Sequence, residues 1–98
     1  MVKFEDHVRA TRGGPAATVQ YCALALNGEA GEVAEWVKKK WRDGEDSPLN
    51  DEDLLSELGD VLWYTTALAL AKGWTLEQVA DFNIEKLTAR QAEGRKIG

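Results

Sequence analysis

The chain has one cysteine, one histidine and two prolines among its 98 residues. A lone Cys22 excludes an internal disulfide and fits the reducing conditions of a cytoplasm. Its expected place is that of a small buried hydrophobe. Pro15 and Pro48 both fall outside the strongly periodic stretches, so long helices can run between and beyond them. No apolar run is long enough to span a bilayer, because the longest, Val61 to Ala71, covers eleven residues and includes two threonines. The start, Met1-Val2-Lys3-Phe4-Glu5-Asp6-His7, lacks the apolar stretch of a secretory signal. Positive charge is also short: 12 basic residues face 17 acidic ones, for a net charge of −5. That balance argues against a protein that grips nucleic acid through a broad basic face. It leaves a nucleotide substrate open, since divalent cations reverse the field around clustered carboxylates.

Helical periodicity dominates, and nothing alternates apolar and polar residues as a half-buried strand would. A first short helix is expected from about Val2 to Thr11, ended by Arg12-Gly13-Gly14-Pro15. A long second helix follows from about Ala16 to Trp41. Inside it, Gly28 and Gly31 each cost about 0.5–1 kcal/mol relative to alanine. Such costs are offset either by close helix packing or by room for a ligand. Arg42 to Pro48 is a polar connection. Asn50 or Asp51 caps a third helix that runs to about Lys72, with Gly73 as its stop. Thr75 and Gln78 form a capping box for a fourth helix reaching about Glu93. Residues 94–98 are expected to be a loose tail.

These elements make one all-α domain over residues 1–98, a four-helix antiparallel bundle that begins with the short helix and turn at 1–15. From Val61 onward the third helix is apolar around nearly its whole circumference. One chain of this size can scarcely surround such a helix, which points to a homodimer or homotetramer.

Two acidic pairs stand out, Glu29 with Glu32 and Glu57 with Asp60. Residues at i and i+3 share a helix face. Both pairs are set among apolar positions: Leu24, Leu26, Val33 and Trp36 for the first, Leu54, Leu58, Val61 and Leu62 for the second. On antiparallel neighbouring helices, the four carboxylates converge. They cannot all remain ionised and unpaired in a partly buried place. An all-oxygen set selects Mg²⁺ or Mn²⁺. A di-iron centre needs Glu-x-x-His motifs that one histidine cannot supply. The plain alternative is a solvated acidic stripe, as on a non-catalytic helical interaction module; a third reading is a metal-binding regulator that keeps the site without turnover.

Candidate substrate contacts lie nearby. Lys38, Lys39 and Lys40 follow Glu32, although a basic helix end also complements the dipole. Asn83, Lys86 and Arg90 share a face of the fourth helix, with Arg90 also within reach of Glu85 or Glu93. Trp36 lies one turn past Glu32 and Tyr64 one turn past Asp60, and both are expected at the same end of the site. Either ring could hold a base or simply pack. Trp63 and Trp74 read as core or subunit interface.

The runs Gly28-Glu29-Ala30-Gly31-Glu32 and Glu57-Leu58-Gly59-Asp60-Val61-Leu62-Trp63-Tyr64 stand with 24 residues between Glu32 and Glu57. Together with Asn83-Ile84-Glu85-Lys86-Leu87 before Arg90, they resemble the MazG-like, all-α NTP pyrophosphohydrolase superfamily over residues 20 to 90. The resemblance implies Mg²⁺-dependent hydrolysis of a (deoxy)nucleoside triphosphate to the monophosphate and pyrophosphate, with a house-cleaning role. It implies metal ligation by Glu29, Glu32, Glu57 and Asp60, with Asn83 and Lys86 as phosphate or outer-sphere groups. Many members carry Glu-Glu-x-x-Glu, and Gly28 replaces the first Glu here, as in members resembling the dCTP-preferring branch. Where that Glu serves as a base, another group must activate the water, and Glu35 is the candidate.

Overall fold

A computed structural model describes residues 2–94, and the expected tail falls outside them except for Gly94. Helix α1 spans Val2–Thr11, α2 Val19–Asp43, α3 Asp51–Ala71 and α4 Leu76–Ala92. No strand occurs among the described residues, so the chain is all-α, as expected.

The helix ends follow the local chemistry. Asn50 and Asp53 exchange side-chain-to-backbone bonds of 3.0 and 3.2 Å at the start of α3. Thr75 and Gln78 do the same at α4, at 2.8 and 3.1 Å. Gly73, with φ +82°, supplies the left-handed step that closes α3. The start of α2 is later than the sequence suggests. Gly14–Ala17 form a 3₁₀ turn around Pro15, and Thr18 then caps the helix by accepting from the Tyr21 N–H at 3.3 Å.

Helices α2 and α3 form an antiparallel hairpin. Tyr21 meets Tyr64 near one end, with ring centroids 6.4 Å apart. At the other, the Trp36 indole N–H donates to the Asn50 carbonyl at 3.2 Å and the Lys40 ammonium to the Leu49 carbonyl at 3.2 Å. The core sits at the Tyr21 end, where α1 crosses. Val8, Cys22, Ala67 and Leu70 are buried there, with Phe4, Trp63, Tyr64 and Leu68 packed around them. Cys22 is the small buried hydrophobe expected, and its thiol donates to the Ala16 carbonyl at 3.1 Å. Trp63 belongs to this core and donates to the Thr11 hydroxyl at 3.1 Å, whereas Trp74 is half exposed.

Helix α4 is different. Among its described residues only Leu76, in the first turn, is buried. The chain measures 44 × 43 × 24 Å, with a radius of gyration of 16.2 Å. A compact chain of this length has a radius of about 13 Å. The hairpin and α4 therefore diverge rather than closing into a bundle within one chain.

Candidate metal centre

Half-way along the hairpin, α2 and α3 each turn an acidic pair into the shared groove. One carboxylate oxygen from each of Glu29, Glu57 and Asp60 lies within 4.8 Å of the others. Glu32 completes the cluster, because its side chain lies against that of Glu57. The i, i+3 spacing gives each pair one face, and the antiparallel register brings the faces together.

The electrostatics record the crowding. The contact with Glu32 is the largest influence on Glu57. Burial and the charges of Glu32, Glu29 and Asp60 add to it, and the carboxyl is pushed up to about 7. Glu29 is raised as well, first by burial and then by Glu32 and Asp60. The Oε2 atoms of Glu29 and Glu57 are buried without a hydrogen-bond partner. Buried oxygens without donors are costly, and two such atoms in a convergent all-oxygen set fit a hard divalent cation. A Cβ added at Gly28 or Gly31 would meet nothing within 4 Å. Packing within the chain therefore does not require either glycine, and the space beside the acids stays open.

Beyond Glu32 the groove widens into a cleft of about 450 Å³ lined by Glu32, Glu35, Trp36, Lys39, Leu49, Asp53, Ser56 and Glu57. This is the size range of small-molecule sites. Trp36 presents its ring to the cleft while its N–H is held by Asn50.

The sequence profile of the MazG nucleotide pyrophosphohydrolase domain matches residues 17–94. This chain belongs to that family. The Gene 37 protein of Mycobacterium phage L5 is 42% identical over 78 residues, which cover 78% of this chain and 68% of that protein. No solved structure matches at comparable stringency.

Within the MazG domain, the structure brings together Glu29, Glu32, Glu57 and Asp60, and sets Trp36 and Lys39 in the adjoining cleft. Tyr64 does not share that end. On an antiparallel partner, the turn after Asp60 leads toward the start of α2, so Tyr64 meets Tyr21 and not Trp36. Burial raises the Tyr64 phenol, followed by the Tyr21 phenol and the Glu29 charge. The two rings thus flank the acids from opposite sides. Glu35 lines the cleft, but Lys38 grips its carboxylate at 3.0–3.1 Å and lowers it. Asn83 and Lys86 are exposed on α4 and Arg90 is partly covered there. None of the three forms an ion pair among the described residues.

Sequence reasoning overlooked Asp53 and Ser56. Each stands one turn before an acid of the second pair, so i, i+4 spacing could have placed both on the groove. Leu49 carried no such signal, because it lies in the connection.

Proposed function

We propose that this chain hydrolyses a nucleoside triphosphate to the monophosphate and pyrophosphate, with Glu29, Glu32, Glu57 and Asp60 holding Mg²⁺, or Mn²⁺ in its place. The observation that carries this reading is the convergence of acids with two buried, donorless oxygens at Glu29 and Glu57. A site built only for protein contacts gains nothing from such atoms, whereas a cation satisfies them. Membership of a nucleotide pyrophosphohydrolase family points the same way.

The metal, when bound, supplies acidification of a water and neutralisation of phosphate charge. The chain's own groups bind and orient. The Lys39 ammonium lies in the cleft where a phosphate chain approaching the acids would pass, and the Trp36 ring offers a flat wall to a base. Asn83, Lys86 and Arg90 are assigned to the phosphates, and Tyr64 closes the far side. We assign the enzyme to the cytoplasm, where Cys22 stays a thiol, and to nucleotide-pool house-cleaning. No described helix is long and apolar enough to cross a membrane. We also assign it a homo-oligomeric state, dimer or tetramer, because Leu55, Leu58 and Leu62 leave an apolar stripe exposed on α3.

The test is pyrophosphate release from a panel of canonical and modified nucleoside triphosphates, with Mg²⁺ or Mn²⁺. Turnover of at least one is expected, and Glu57→Gln should reduce it by more than about 100-fold, the upper end of what losing an outer-sphere partner costs a metal site. Unchanged turnover in a helical Glu57→Gln protein would remove Glu57 from the ligand set.

A further inference from the structure

We infer that α1 is a clasp for α4: the buried Glu5 carboxylate holds the Leu76 N–H and so fixes the direction of α4. Glu5 is then a positioning residue for Asn83, Lys86 and Arg90. That catalytic consequence rests on the assignment of those three residues to the phosphates.

Helix α1 turns Glu5 and Val8, at i and i+3, toward the interior, and both are buried. Val8 packs there with Cys22, Ala67 and Leu70. A carboxylate in such a place is costly unless it is bonded. The start of α4 supplies the bond. Leu76 is the first residue of that helix, where backbone N–H groups lack partners within the helix and the dipole favours an anion. Its neighbours are served locally, since Thr75 and Gln78 bond one another at 2.8 and 3.1 Å. The Leu76 N–H instead reaches Glu5, 71 positions away, at 2.6 Å. Helix α1 is itself held to α3, through Val8 in the core and the Trp63 indole on the Thr11 hydroxyl at 3.1 Å. Glu5 therefore passes a fixed position on to α4.

Helix α4 has little else to set its course. Past Leu76 none of its described residues is buried, and Phe82 and Ile84 are 71% and 60% exposed. The root also has leverage. At the helical rise, Lys86 stands about 15 Å and Arg90 about 21 Å beyond Leu76. A tilt of about 10° at the root therefore moves Arg90 by about 4 Å. Misplacement by about 1 Å already weakens a group that must meet a substrate. The MazG match covers residues 17–94, so α1 lies outside it and α4 within. The clasp reaches from outside the matched domain onto its last helix.

Residual dipolar couplings of the full chain read helix directions without reference to turnover. In the wild type, those of α4 and of the α2–α3 hairpin should fit one common orientation. In Glu5→Ala the α4 couplings should shrink, or turn by about 10° or more, while those of the hairpin hold. Glu5→Gln keeps an acceptor oxygen and should restore them. Glu5→Asp, which draws the carboxylate back by one methylene, replaces the alanine variant should that not fold. A bond that only stabilises would leave helix directions unchanged below the melting transition. Unchanged α4 couplings therefore overturn the inference, and so does a glutamine variant no better than alanine. On a triphosphate that the wild type hydrolyses, Glu5→Ala should lower kcat/KM by about tenfold, mostly through KM. Altered couplings with unaltered kinetics would overturn the positioning role. Altered couplings in a protein inactive on every triphosphate would uphold the clasp and reject the hydrolase reading instead.

Discussion

The carboxylate of Glu5 accepts a hydrogen bond from the backbone N–H of Leu76 at 2.6 Å. The two residues are 71 positions apart, and both are buried. This bond fixes the first turn of α4 to α1, where a helix N-terminus favours a negative group. Removing the acceptor leaves a buried donor unsatisfied. Glu5→Ala should therefore lower the unfolding free energy by about 1–3 kcal/mol in urea titrations. Glu5→Gln keeps an acceptor and should lose less. A neutral alanine variant would show that the contact holds nothing.

The crowding of Glu57 by its acidic neighbours sets a pH dependence for the metal-free protein. The folded Glu57 carboxyl is raised to about 7 from 4.5, and Glu29 is raised as well. Between those values the folded state binds more protons than the unfolded chain, so stability falls as pH rises. The contribution is complete below about 4.5 and lost as pH passes about 7. Thermal melts in chelator should therefore show a lower Tm at pH 8 than at pH 5.5. Added Mg²⁺ should recover stability mainly at the higher pH, where the ligands are ionised. A Tm that climbs over this interval in chelator would contradict the crowding.

Glu57→Gln separates stability from function. Removing one charge relieves the repulsion, so the metal-free variant should melt higher than wild type at pH 8. The same variant should show a much smaller Mg²⁺-induced rise in Tm, alongside its loss of turnover. Destabilisation at pH 8 would mean that the carboxylate is held by something other than its acidic neighbours.

Much of this arrangement is legible in the chain. Asn50, Gly73, Thr75 and Gln78 mark their helix ends because caps act over three or four residues. The acidic pairs declare a shared face because i, i+3 spacing is a property of one helix. What depends on the relation between helices is harder to see. Trp36 and Tyr64 each follow an acid by one turn, yet the antiparallel register sends them to opposite ends. Pro15 delays α2 through a 3₁₀ turn that periodicity cannot register. The Glu5–Leu76 bond and the divergence of α4 join distant parts of the chain, and no local pattern announces either.

Glu35 tests which group can take a proton from water. It lies in the cleft one turn beyond Glu32, the position expected of a substitute base where Gly28 stands. Lys38 bonds to its carboxylate, and that bond, followed by the Lys38 charge, holds it below the ordinary glutamate range. A base works best when its pKa lies near the working pH, and lowering weakens it as a proton acceptor. Glu35→Gln should accordingly keep turnover within about tenfold of wild type, below the smallest contribution usual for general-base catalysis. Its pH–rate profile should keep the same acid limb. Lys39→Ala, by contrast, should raise KM for the triphosphate more than it lowers kcat, because an ammonium over the phosphates binds ground and transition states alike. A loss of about a hundredfold or more in Glu35→Gln, with the acid limb gone, would identify Glu35 as the base despite its ion pair.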